Sequence, residues 1–279
     1  MLGFVFPSDF INNKKPDEFY EKEYNLFKSA GYPVYLINID ELQHAKVYPS
    51  LGDDELIYRG WMLSEEQYTQ MYKKLDRQML VRPCDYLKSH HLPGWYENIK
   101  KFTIESVITT EQDAATTFTE LGWDKAFMKD YVKSLKTGKG SIVDSAEDVE
   151  RALADIRQFK GFIEKGIVFR KVKDIEPDSE TRFFVLNGKI FSPVDNEDMY
   201  YIADKVSHKH DALFYTIDIA RNSVGELFVV EIGDGQVSDT VGWNIENFVE
   251  MFKGFNPETM FADKIRIEMD KIKGVSPKK

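Results

Sequence analysis

At 279 residues the chain is long enough for roughly two domains. Its 42% hydrophobic and 14% aromatic content supplies ample core and excludes a disordered chain. A net charge of −10 disfavours a nucleic-acid backbone or an anionic membrane as the main partner, so any phosphate site has to be built locally. One cysteine, Cys84, excludes an intrachain disulfide and a cysteine-rich zinc module, and fits a reducing, cytoplasmic setting. No run approaches the ~20 apolar residues of a membrane span. The opening Met1-Leu-Gly-Phe-Val-Phe6 lacks the basic start and the length of a signal peptide, and is expected to be a strand.

Taken in chain order, residues 2–6 predict a strand and residues 16–29 a helix, with Phe19, Tyr20, Tyr24 and Phe27 near helical spacing. Gly31-Tyr-Pro33 stops that helix, and residues 34–39 give a second strand. Strand, helix, strand is a βαβ unit, which implies a parallel sheet. A further strand is expected at 55–59, then a helix opened by the capping box Ser64-Glu-Glu-Gln67 ahead of Tyr68, Met71 and Leu75. Pro93-Gly94 is read as the end of a first domain, 1–94.

A second segment, 95–172, begins with a strand at 102–108 and a helix at 110–121 capped by Thr110. It continues as a strand at 126–132, a Gly/Lys loop at 133–141, a helix at 145–159 with Val149, Leu153 and Ile156 on one side, and a strand at 167–172. The last segment, 173–279, reads as mostly β: 181–186, the hairpin turn Asn187-Gly188, 189–192, 213–220 and 227–232, then a helix at 245–252 and a frayed end at 274–279. No internal repeat interrupts this order.

Residues 213–233 carry the strongest chemical signal. A hairpin turn centred between Val224 and Gly225 sets Asp218 directly opposite Glu231 on one face. Leu213, Tyr215, Ile217 and Ile219 then share the other face with Phe228, Val230 and Ile232, as a sheet packed on a core requires. Facing carboxylates repel unless a cation or proton lies between them, and two hard oxygen donors suit Mg²⁺ carrying phosphate. The alternative is a solvated face, or neutralisation by Lys or Arg.

A lysine-rich stretch follows the strand at 126–132. Between 124 and 141 there are five Lys and two Asp, and Lys129 emerges from an apolar strand, so it is expected to be held in place. The small residues Gly138, Gly140 and Ser141 let backbone N–H groups approach an anion. It is not a P-loop: Gly138-Lys139 is followed by Gly140, and Lys133 stands where the first glycine belongs. A solvated turn is the simpler alternative. Two arginines, Arg170 and Arg182, sit in apolar strands and need an anionic partner, either a ligand or a neighbouring acid. His90-His91 and His208-Lys-His210 lack metal-ligand spacing, and Cys84 lacks a basic partner. Tyr58-Arg-Gly-Trp-Met62 ends a strand, where Arg59 and Trp61 either line a cleft or cap the core.

Together these motifs resemble the ATP-grasp superfamily, and within it the clade marked by two arginines and a lysine. The likeness rests on Tyr58-Arg-Gly-Trp-Met62, Phe127-Met-Lys-Asp-Tyr-Val-Lys-Ser134, Glu180-Thr-Arg-Phe-Phe-Val185 and Val230-Glu-Ile-Gly-Asp-Gly-Gln236, over about residues 55–255. It implies an α/β and α+β fold: an N-terminal βαβ-type domain ahead of two α+β subdomains that clasp ATP.

By the same resemblance Lys129 contacts the α- and β-phosphates, and the loop 134–141, with Lys133 before it, covers the triphosphate. The backbone of Lys171 and Val172 reads adenine, and Glu180 lies near the ribose. Asp218 and Glu231 hold Mg²⁺, while Arg170 and Arg182 steady the γ-phosphate or the substrate carboxylate. Where the family carries Asn two positions after the metal-binding Glu, this sequence has Gly233, with Asp234 or Asp239 as the compensating acid. The implied activity is ATP- and Mg-dependent ligation of a carboxylate to an amine or thiol through an acyl phosphate, on small molecules or peptides. A non-catalytic nucleotide-binding module and a phosphotransferase are the alternatives. Substrate identity and oligomeric state have no signature in the sequence.

Overall fold

The computed structural model describes residues 1–76, 78–132 and 142–258, with the backbone alone at 159 and 160. These residues form two compact units, 1–83 with 243–258, and 84–242. In chain order the first unit begins with β1 (Leu2–Pro7), α1 (Glu21–Ser29), β2 (Val34–Ile37), β3 (Val47–Tyr48), β4 (Glu55–Tyr58) and α2 (Glu65–Lys74). All six residues of β1 are buried, as expected of a central parallel strand covered on both faces. It pairs in parallel with β2 and with β4, so the βαβ expectation holds; the two-residue β3 adds an antiparallel edge. The Ser64–Gln67 capping box forms in full at the start of α2.

The second unit holds α3 (Pro83–His90), α4 (Leu92–Ile99), β5 (Ser106–Thr109), α5 (Ala114–Leu121), β6 (Ala126–Asp130), β7 (Ile142–Val143), α6 (Ala146–Lys160), β8 (Ile167–Lys171), β9 (Thr181–Leu186), β10 (Lys189–Phe191), α7 (Glu197–Ser207), β11 (Phe214–Arg221) and β12 (Leu227–Asp234). It contains two four-stranded sheets, ordered β5-β8-β6-β7 and β10-β9-β11-β12. In the first, Ala126, Met128, Ile167 and Phe169 pack on α5 and α6, while Val168 turns to the core of the second sheet. That second core joins Phe183, Val185, Tyr215, Ile217, Ile219, Val229 and Ile232 to Trp95 of α4 and to Met199, Ala203 and Val206 of α7. A last helix, α8 (Ile245–Glu250), belongs to the first unit, where Phe248 and Phe252 join Phe4 and Phe27 in an aromatic cluster.

Several expectations are corrected. Pro93 and Gly94 do not end a structure but lie in the first turn of α4, where a missing N–H costs nothing. A Cβ on Gly94 would stand 2.5 Å from the Lys88 carbonyl oxygen, so the glycine permits the tight α3–α4 junction. Thr110 does not cap α5. Its Oγ1 accepts from the Asp113 N–H at 3.2 Å and donates to the Asp113 carboxylate at 2.7 Å, a turn preceding a helix that starts at Ala114. The helix α7 stands in a segment expected to be mostly β. The β9–β10 hairpin forms as expected, with positive φ at both Asn187 and Gly188.

His210 is buried at the core of the second unit, its Nε2 2.9 Å from Ser89 Oγ and its ring edge-on to Tyr215. Burial, helped by the charge of Lys88 and opposed by Asp211, pushes its pKa down to about 4. The unfolded chain then binds the proton first as pH falls, so the stability contributed by neutral His210 is complete above its ordinary pKa and is lost on the way down towards 4. Between pH 7 and pH 5 this costs about 2 kcal/mol. Urea unfolding of wild type and His210→Gln at both pH values is expected to show that much less pH dependence in the variant; equal slopes would refute it. No helix among the described residues is long and apolar enough to cross a membrane.

Candidate active site

Three adjacent strands place a row of charges on one face of the second sheet. Arg182 of β9 pairs with Asp218 of β11, and Asp218 pairs with Glu231 of β12, so the facing acids inferred from the hairpin are in register. Like charges so placed are unfavourable unless each has a partner. Arg182 supplies one, its Nε and Nη2 donating to the two Asp218 oxygens at 2.7 and 2.6 Å. Lys129, from β6 of the neighbouring sheet, supplies the other, its Nζ 2.5 Å from Glu231 Oε1. The acids are thus neutralised by bases, the alternative that the sequence left open.

Burial makes these pairs tight. Lys129 is 4% exposed and Asp218 3%. Desolvation lowers the Lys129 pKa, with Arg170 adding to the effect, while Glu231 and Asp130 oppose it. For Arg182 desolvation acts downward too, but Asp218, then Asp239 and Glu180, outweigh it and hold the guanidinium above its ordinary value. The third acid of the cluster is Asp239, whose carboxylate and backbone carbonyl both accept from Arg182 Nη1. Asp234, the residue expected to serve as metal ligand, is not brought to the site. It pairs with Tyr215, and strand alternation puts it with Ile232 on the core side, where its Oδ1 accepts from the backbone and side chain of Gln236.

The remaining candidates divide. Arg170, expected at the γ-phosphate, is instead turned inward and donates to Ser106, Thr103 and the Val230 carbonyl. Lys171 ends β8, exposed, with its ammonium 3.4 Å from Glu105; Val172 follows it half-buried. Glu180 is exposed one residue before β9. Lys133, Gly138, Gly140 and Ser141 lie outside the described residues. At Gly233, a Cβ would meet Thr216 Oγ1 at 2.9 Å and Ser238 Oγ at 3.0 Å. Those two hydroxyls, 3.1 Å apart, occupy the room an asparagine side chain needs. Arg59 does not line a cleft: it is buried in the first unit, bidentate to Glu23.

Among the described residues no group of three or more His, Cys, Asp or Glu is arranged to cage a metal alone. Two facing carboxylates are a hard-oxygen set suited to Mg²⁺ that arrives already bound to phosphate oxygens. The donors therefore fit a metal–nucleotide and not a free-standing ion site, and Asp218 can receive such an ion only when Arg182 lets go of it.

Structural comparison gives the class first. The fold is similar to that of the D-alanine–D-alanine ligase of Coxiella burnetii, with a TM-score of 0.63 at 9% identity over 98% of this chain and 100% of that one. It is also similar to an ATP-grasp RimK domain protein of Sphaerobacter thermophilus DSM 20745, with a TM-score of 0.60 at 12% identity over 90% and 99%. A third is the ATP-grasp ligase PsnB, solved with a phosphomimetic variant of its minimal precursor, Mg and ADP, with a TM-score of 0.54 at 9% identity over 89% and 95%. The architecture is the ATP-grasp fold. Residues 85–252 match the ATP-grasp domain of family 3 in the clade named for two arginines and a lysine, and the chain belongs to that family. Compared with curated proteins, the sequence matches none.

Proposed function

We propose that this chain is an ATP-dependent ligase that joins a carboxylate to an amine through an acyl phosphate. The carrying observation is the opposed Asp218–Glu231 pair with Lys129 buried against it, in a chain of the ATP-grasp family. A carboxylate has no adequate leaving group. Transfer of the γ-phosphoryl group from ATP to one of its oxygens releases ADP; the amine then attacks the acyl carbon, inorganic phosphate departs, and the amine gives up a proton.

On this reading the two sheets of the second unit are the halves that clasp the nucleotide. Lys129 binds the α- and β-phosphates, the loop 134–141 covers them, the backbone at Lys171 and Val172 reads adenine, and Glu180 lies near the ribose. Asp218 and Glu231 hold Mg²⁺, which would supply charge neutralisation to the phosphates. Arg182, once released from Asp218, is the cation left to face the transferring group. No protein nucleophile is needed, and positioning does most of the catalysis.

The test is calorimetric titration with a non-hydrolysable ATP analogue and Mg²⁺, then phosphate release across a library of amino acids and peptides. Binding followed by amide formation supports the proposal. Binding without turnover over the whole library favours a nucleotide-binding module, and a stable phosphorylated product without amide favours a phosphotransferase.

A further inference from the structure

The edge strand β12 carries one residue more than β11 can match. Asp218 faces Glu231, but Ile219 faces Val229, so Val230 has no partner across the ladder. Simple alternation puts Val230 in the core; the extra residue instead turns both Val229 and Ile232 inward and leaves Glu231 abreast of Asp218. A bulge strands a backbone carbonyl, and a buried carbonyl needs a donor.

That donor comes from another sheet. Arg170 Nη1 donates to the Val230 carbonyl at 2.6 Å, Nη2 to Thr103 Oγ1 at 3.1 Å, and Nε to Ser106 Oγ at 3.2 Å. Thr103 Oγ1 in turn donates to the Val229 carbonyl at 2.8 Å, and the Val229 N–H donates to the Phe102 carbonyl at 2.7 Å. The segment ahead of β5 thereby bridges in parallel to β12 at the bulge. One guanidinium fork fastens three pieces of chain around the residue next to Glu231.

We infer that Arg170 is a positioning residue: by holding the Val230 bulge through its carbonyl and through Thr103, it sets where Glu231 stands opposite Asp218 and Lys129. The inference rests on the ligase reading for its consequence, since Glu231 is there a metal-holding group, but its geometry does not depend on that reading. Lysine cannot replace this fork, because a single ammonium has no planar array to reach three separated acceptors. Thr103 gives the complementary probe, because Thr103→Val keeps the charge of Arg170 and removes two of the hydrogen bonds.

The experiment compares full-length wild type, Arg170→Lys and Thr103→Val by amide hydrogen exchange, by crystallography and by the Mg²⁺ dependence of ATP-driven phosphate release. Exchange at the Val229 amide is expected to quicken about tenfold in both variants while that of β1 is unchanged. The crystal structures should show the Lys129–Glu231 contact broken or lengthened. The Mg²⁺ concentration for half-maximal phosphate release should rise about tenfold or more. A purely structural role would lower stability without moving that concentration. Wild-type exchange in both variants, an intact Lys129–Glu231 contact, or an unmoved Mg²⁺ requirement each overturns the inference. If wild type releases no phosphate, the ligase reading fails and the exchange and crystallographic results decide the positioning claim by themselves.

Discussion

Replacing Glu231 with Gln is expected to lower ATP-dependent phosphate release by about a hundredfold to a thousandfold in a protein that still folds. The substitution keeps the shape of the side chain and removes one of the two facing charges. Its structural cost falls on Lys129, which is 4% exposed and whose ammonium sits 2.5 Å from Glu231 Oε1. Breaking a buried pair by removing one partner costs about 3 kcal/mol or more when the other charge must stay. Lys129 has another course, since burial already draws its pKa down and Glu231 is the largest influence holding it up. Without that carboxylate the amine sheds its proton more readily, which limits the loss. A double variant, Lys129→Met with Glu231→Gln, removes the stranded amine and should recover most of the stability while turnover stays lost. Urea unfolding and a phosphate-release assay on the three variants separate the two effects. Turnover within tenfold of wild type in folded Glu231→Gln would remove the residue from the chemistry.

Parts of this site were legible in the sequence for definite reasons. The Asp218–Glu231 pairing followed from strand period and the turn at 222–225, where the Gly225 N–H does bond the Asn222 carbonyl with φ at +89°. Parity alone also separates position 234 from 231, so the exclusion of Asp234 was readable in the same pattern that paired the other two acids. The bulge was not readable. It is fixed by Phe102 and Thr103 and by Arg170, more than 50 residues away in sequence, and alternation cannot report such contacts. Arg170 shows why a strand arginine is ambiguous: the expected anion proves to be a carbonyl and two hydroxyls, which satisfy the same donors. In α7 the signal was present, with Asn196 capping the Met199 N–H and Met199, Ala203 and Val206 on one face, but it stood between strands. At α3 and α4 it was masked by Pro93-Gly94, a pair that marks a turn in most settings and here opens a helix.

The first unit offers the other large effect, at a pair that touches none of the residues proposed for the chemistry. Arg59 is 1% exposed, with Nε and Nη2 at 2.6 and 3.0 Å from the two oxygens of Glu23, and its guanidinium lies over the Phe248 ring at 4.6 Å. Its position at a strand end is compatible with lining a cleft or serving the core, and the bidentate pair assigns it to the core. Arg59→Met is expected to destabilise the protein by about 3–5 kcal/mol, because Glu23 stays behind with its charge buried and unmatched. Replacing both residues, Arg59→Met with Glu23→Leu, should return most of that loss, since two apolar side chains of similar volume incur no desolvation penalty. The coupling between the two substitutions, read from urea unfolding in a double-mutant cycle, is therefore expected to be large and of compensating sign. Additive losses would show that each residue is held by contacts of its own, and a single-variant loss under about 1 kcal/mol would show that water reaches the pair. Trp61, two positions on and 41% exposed, donates from Nε1 to Asp17 at the surface, so its replacement by Phe tests the neighbouring position without disturbing the buried charges.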